Sequence, residues 1–102
     1  MSNNTDKKYY NILLEYLKGH DIFDLIDSNI LPFSIQNDYN IILDLVKYDG
    51  YALDLASNKL RGDREIVLTA VKQNGLSLEY ASNKLRGDKE VVLIAVNNIF
   101  IE

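Results

Sequence analysis

The chain has 102 residues, 47% of them hydrophobic and 25% charged, with a net charge of −4, which fits one small domain with a core and excludes a disordered tail. It has no cysteine, so disulfides and thiolate metal sites are excluded. Its polar start at residues 1–8 leads into no signal-type apolar run, and nothing approaches the roughly 20 apolar residues of a membrane span, so the expected location is the reducing cytoplasm of the producing or host cell.

The first predicted helix opens at Thr5, a capping residue, and runs through Ile12, Leu13, Tyr16 and Leu17 to Gly19. A short second helix follows from Asp21 to Asp27, with Ile22, Phe23, Leu25 and Ile26 apolar. The stretch 29–37 departs from the pattern of the later residues and holds the only proline, Pro32. From residue 38 the chain repeats itself. The octapeptide Ala-Ser-Asn-Lys-Leu-Arg-Gly-Asp at 56–63 recurs unchanged at 81–88, a shift of 25 residues. The same shift carries Lys47 onto Lys72, Gly50 onto Gly75 and Leu53 onto Leu78. Two full units, 38–62 and 63–87, precede a half unit at 88–102, and 1–37 serves as a divergent N-terminal capping unit.

Each unit predicts two helices. Asp38, Asp63 and Asp88 stand where an N-cap carboxylate accepts from free first-turn amides. After Asp63, the residues Ile66, Val67, Ala70 and Val71 follow at helical spacing. Gly75 is expected to end that helix in the left-handed conformation. Ser77 is expected to start a shorter helix with Leu78, Ala81 and Leu85 as its apolar face. The first helix is apolar around much of its circumference, as when neighbours cover both sides. The fold class is therefore all-α, a right- or left-handed solenoid-like stack of short helix pairs. Residues 63–82, from Asp63 through Ala70, Gly75, Leu78 and Tyr80 to Ser82, resemble the family of domain of unknown function 4116. Residues 88–96 repeat the opening, and 38–62 is a looser copy. Phe100 stands where that pattern expects glycine. The resemblance implies an all-helical fold and carries no catalytic residues.

Chemistry is sparse. His20 with Ser28 and Asp24 has no nucleophile elbow or oxyanion loop beside it, so it reads as a loop histidine. Asp21, Asp24 and Asp27 share one helical face and read as a solvated acidic surface rather than a cation site. The Arg-Gly-Asp triplets at 61–63 and 86–88 read as turn and cap, and Asn3-Asn4-Thr5 carries no meaning without secretion. No catalytic residue, cofactor or metal is expected.

Binding surfaces remain. Lys59, Arg61 and Arg64 repeat as Lys84, Arg86 and Lys89 and would align along one edge as possible phosphate contacts. Asp63, Glu65, Asp88 and Glu90 interleave them, which favours local pairing instead. Seven tyrosines are many for this length. Tyr39 and Tyr48, with register partners Arg64 and Gln73, are expected to face outward, and with Tyr51 they form a candidate protein interface, ordinary half-buried packing being the equal alternative. Ile94 replaces Asp44 and Thr69, and together with Phe100 it marks a candidate apolar face at the last half unit, suited to partner docking or a homodimer, the equal alternative being that the tail folds back as its own cap. The first half carries four lysines against eight acids, the second seven bases against seven acids, which makes nucleic acid an unfavoured partner. The expected function is a non-enzymatic protein-binding module, a small standalone inhibitor or adaptor. One alternative is a phage or mobile-element inhibitor of a nucleic-acid-processing defence enzyme; another is nucleic-acid binding through the basic turns.

Overall fold

The computed structural model describes residues 11–13, 15 and 31–99. The expectations for Thr5, Tyr16, Leu17, Gly19, His20, the segment 21–27, Ser28 and Phe100 lie outside these residues. All secondary structure among the described residues is helical. Residues 11–13 and 15 are α-helical, and within 31–99 six α-helices run in chain order: α1 (Phe33–Gln36), α2 (Tyr39–Tyr48), α3 (Asn58–Arg61), α4 (Arg64–Gln73), α5 (Asn83–Arg86) and α6 (Lys89–Asn97). Two 3₁₀ helices, Gly50–Leu55 and Gly75–Tyr80, follow α2 and α4.

The three long helices begin alike. Ile41 donates its amide to Asp38 Oδ1 at 3.0 Å, Ile66 to Asp63 Oδ1 at 3.0 Å, and Val91 to Asp88 Oδ1 at 3.1 Å. Each cap satisfies one of the free first-turn amides and contributes about 1 kcal/mol. Each helix then turns its apolar positions inward: Ile42, Leu45 and Val46 on α2, Ile66, Val67, Ala70 and Val71 on α4, and Val91 on α6 are fully buried. α4 packs against both α2 and α6. Leu13 and Leu31 join the same core from the N-terminal side.

The second half of each unit differs from expectation. Helices α2 and α4 end at Asp49 and Asn74, which are extended (φ −154° and −156°). Their side chains then cap the 3₁₀ helices, accepting from Tyr51 N–H at 2.9 Å and Leu76 N–H at 3.0 Å. Asn74, not Ser77, starts the next element, and Ser77 is wholly buried within it. The predicted single second helix is split. The 3₁₀ segment runs to Tyr80, the chain is extended at Ala81, and a one-turn α5 starts at Ser82, which accepts from Leu85 N–H at 3.4 Å.

Gly75 is not left-handed, and neither is Gly50. Their smallness serves close packing. A Cβ on Gly50 would lie 2.5 Å from the Ala70 carbonyl oxygen, and one on Gly75 would lie 1.9 Å from the Ala95 carbonyl oxygen. Both obstacles are backbone atoms of the following long helix, so no side-chain rotation relieves them.

Residues 31–37 share the register that the sequence seemed to lose there. Pro32 stands in place of Ser57 and Ser82, and Ile35 is buried where Leu60 and Leu85 are buried. Pro32 suits a position just before a helix, where its missing N–H costs nothing. Backbone bonds repeat at the same offset: Ser57 N–H donates to Gln36 O at 2.9 Å, and Ser82 N–H to Arg61 O at 3.0 Å.

Candidate functional site

The first residues of the long helices meet across neighbouring segments. The Tyr39 hydroxyl donates to Glu65 Oε1. One register later, Arg64 donates to Asp88 Oδ2 at 2.7 Å and to Oδ1 at 3.3 Å, and it also pairs with Glu90. Gln73 Nε2 adds a bond to the Lys47 carbonyl at 2.7 Å. The Arg64 hydrogen bond holds the Asp88 carboxyl below the usual carboxylate range, helped by the Val91 amide, and the same two carboxylates push the Arg64 guanidinium further up. Tyr39 and Arg64 therefore engage their polar groups with partners of the same chain at the surface. Tyr51 is half-buried, its ring edge-on to Tyr80 with centroids 6.1 Å apart. Desolvation is the main reason the Tyr80 hydroxyl titrates above its ordinary value, with Glu79 and Asp54 adding to it.

The other arginines are placed differently. Arg61 and Arg86 both line an open groove of about 400 Å³ between α3 and α5. Each is steadied by an asparagine of its own turn: Arg61 donates to Asn58 Oδ1 and Arg86 to Asn83 Oδ1. Among the described residues, Arg64 alone of the bases forms ion pairs, so the guanidiniums of Arg61 and Arg86 have no carboxylate in direct contact. Glu79 and Tyr80 line the same groove. Lys59, Lys84 and Lys89 are exposed and line no part of it.

A third surface lies on α6. Val46 and Val71 are fully buried, whereas their register partner Val96 is 47% exposed. Leu93 is 55% exposed where Leu43 and Leu68 are half-buried. Leu76 and Ile99 are also exposed. The reason is positional: α4 has a long helix on each side, and among the described residues α6 has one only on the α4 side. Ile94, expected to anchor this face, is half-buried and packs against the core instead.

Of the expected interface tyrosines, Tyr48 alone is exposed. The residues that sequence reasoning missed are Leu93 and Val96, which look like ordinary core positions until their register partners are compared. Asn58 and Asn83 were missed as well. Within a repeated octapeptide, nothing distinguishes an arginine-holding asparagine from a turn residue.

Among the described residues no group of three or more acidic, histidine or cysteine side chains is arranged to hold a metal ion. No helix among them is long and apolar enough to cross a membrane. What these residues define is an all-α protein with a 25-residue sequence repeat and two exposed surfaces, one polar and one apolar. The chain belongs to the family described as domain of unknown function 4116, whose model matches residues 38–86 and again 63–100. Comparison with curated proteins and with solved structures gave no match.

Proposed function

We propose that the protein is a non-enzymatic binding module, a solenoid-like stack of 25-residue helical units that docks on a partner protein as an inhibitor or adaptor. In this reading residues 1–37 cap the stack, 38–62 and 63–87 are its full units, and the half unit from 88 presents the docking face. The observation that supports it is the break in burial at Val96, exposed where Val46 and Val71 are sealed. An amphipathic helix of the partner, laid along Leu93 and Val96, would restore for α6 the two-sided cover that α4 has. Repeat surfaces suit such a role because each added helix presents a regular apolar row.

The test is a pull-down from nuclease-treated lysate with the tagged protein and its Leu93→Glu/Val96→Glu variant. Both positions are exposed, so the variant should keep its helical circular dichroism. A protein retained in stoichiometric amount by the wild type and lost by the variant is the expected result. Recovery that the variant leaves undiminished, or that nuclease removes, overturns the reading. If light scattering finds the wild type dimeric and the variant monomeric, the face serves self-association rather than a foreign partner.

A further inference from the structure

The groove between α3 and α5 stands apart from the apolar face, and its chemistry differs. It brings together two guanidiniums from turns 25 residues apart, Arg61 and Arg86. The asparagine anchors limit the rotamers of both arginines, so less entropy remains to be lost on binding. Each guanidinium has five N–H donors, and the single bond to asparagine leaves most of them open. The arginine pair is not repeated one register earlier. There Gln36 replaces Arg61 and Phe33 replaces Asn58, so the equivalent position between α1 and α3 has a single arginine.

We infer that this groove is a binding site for an extended acidic peptide segment, with one carboxylate on each of Arg61 and Arg86. Arginine forks match carboxylates bidentately, and such charge-assisted bonds are about twice as strong as neutral ones. Glu79 selects a peptide over a nucleic acid strand. Its carboxylate repels phosphates and carboxylates alike, but it also accepts from backbone N–H groups, which a peptide has and a sugar–phosphate chain lacks. Tyr80 offers a ring for the peptide's apolar atoms. A volume of about 400 Å³ suits a few residues of extended chain, not a folded domain. The net charge of −4 argues the same way, since a short contact with two local bases survives an acidic background that would repel a long polyanion.

The experiment is a titration of the full chain, ¹⁵N-labelled, with a capped hexaglutamate peptide at low salt, following the arginine Nε–Hε signals. Those of Arg61 and Arg86 should shift saturably, while that of Arg64, held by Asp88 and Glu90, should stay in place. The Arg61→Gln/Arg86→Gln variant should bind at least about tenfold more weakly with its amide spectrum otherwise unchanged. Absence of shifts, equal binding by that variant, or equal or stronger shifts with a hexathymidylate oligonucleotide would each overturn the inference. The Leu93→Glu/Val96→Glu variant should bind hexaglutamate as the wild type does. The inference therefore stands or falls separately from the proposed docking face.

Discussion

Ser77 is fully buried and its hydroxyl has no hydrogen-bond partner, whereas one register earlier Ala52 fills the same buried position. A buried hydroxyl without a partner loses its hydration and gains nothing in return. Ser77→Ala should therefore stabilise the protein by about 1 kcal/mol, seen as a higher urea midpoint at unchanged slope. Gly75→Ala should do the opposite. Its Cβ would collide with the Ala95 carbonyl, and the cost should be about 3 kcal/mol or more, with the near-terminal α6 losing amide protection before the rest. Asp88 adds a pH signature. Its folded value lies below the ordinary one, chiefly through Arg64, so its contribution is complete above about pH 4 and is lost as the pH falls through the lowered value. Melting temperature against pH should show a shallower acid limb in Asp88→Asn than in the wild type. Arg64→Gln should flatten the limb in the same way, and an unchanged limb in both would remove the pair from the acid response.

At the scale of the element, the long helices were readable from sequence because cap, apolar spacing and length all agree. Asp38, Asp63 and Asp88 cap as expected, and Ile66, Val67, Ala70 and Val71 form the buried face as expected. Asp63→Ala should cost about 1 kcal/mol in a chemical melt. The second elements were not readable. The sequence Gly-Leu-Ser-Leu-Glu-Tyr places serine where a cap belongs, yet Asn74 takes that role from an extended backbone, and the glycine answers a neighbouring helix rather than its own turn. Helix-ending glycines and contact glycines look alike until the neighbour is in place. Among the six aligned bases, the interleaved acids correctly pointed to local pairing for Arg64. They gave no sign that Arg61 and Arg86 would escape it and face one groove.

Over the whole molecule, protection should be graded. A helix packed on both sides must lose two neighbours before its amides open, and one packed on a single side must lose only one. Native-state hydrogen exchange should find the slowest amides in α4, around Val67 to Val71, and faster exchange in α6. Uniform protection across α2, α4 and α6 would instead indicate one all-or-none unit. The period of 25 residues was legible because an octapeptide is repeated without change, but the continuity of that period back to Pro32 was not. Proline conceals the match with Ser57 and Ser82, although all three residues sit at the same backbone position and precede a buried aliphatic side chain three residues on.

The contact between glycine and the next alanine carbonyl works as punctuation. Gly50 and Gly75 each admit a following helix because a hydrogen atom stands where any other residue carries carbon. One register further, the sequence writes phenylalanine at position 100. Close approach of the next long helix is thus decided at a single Cα, and Gly50 and Gly75 are the two described places where it is granted.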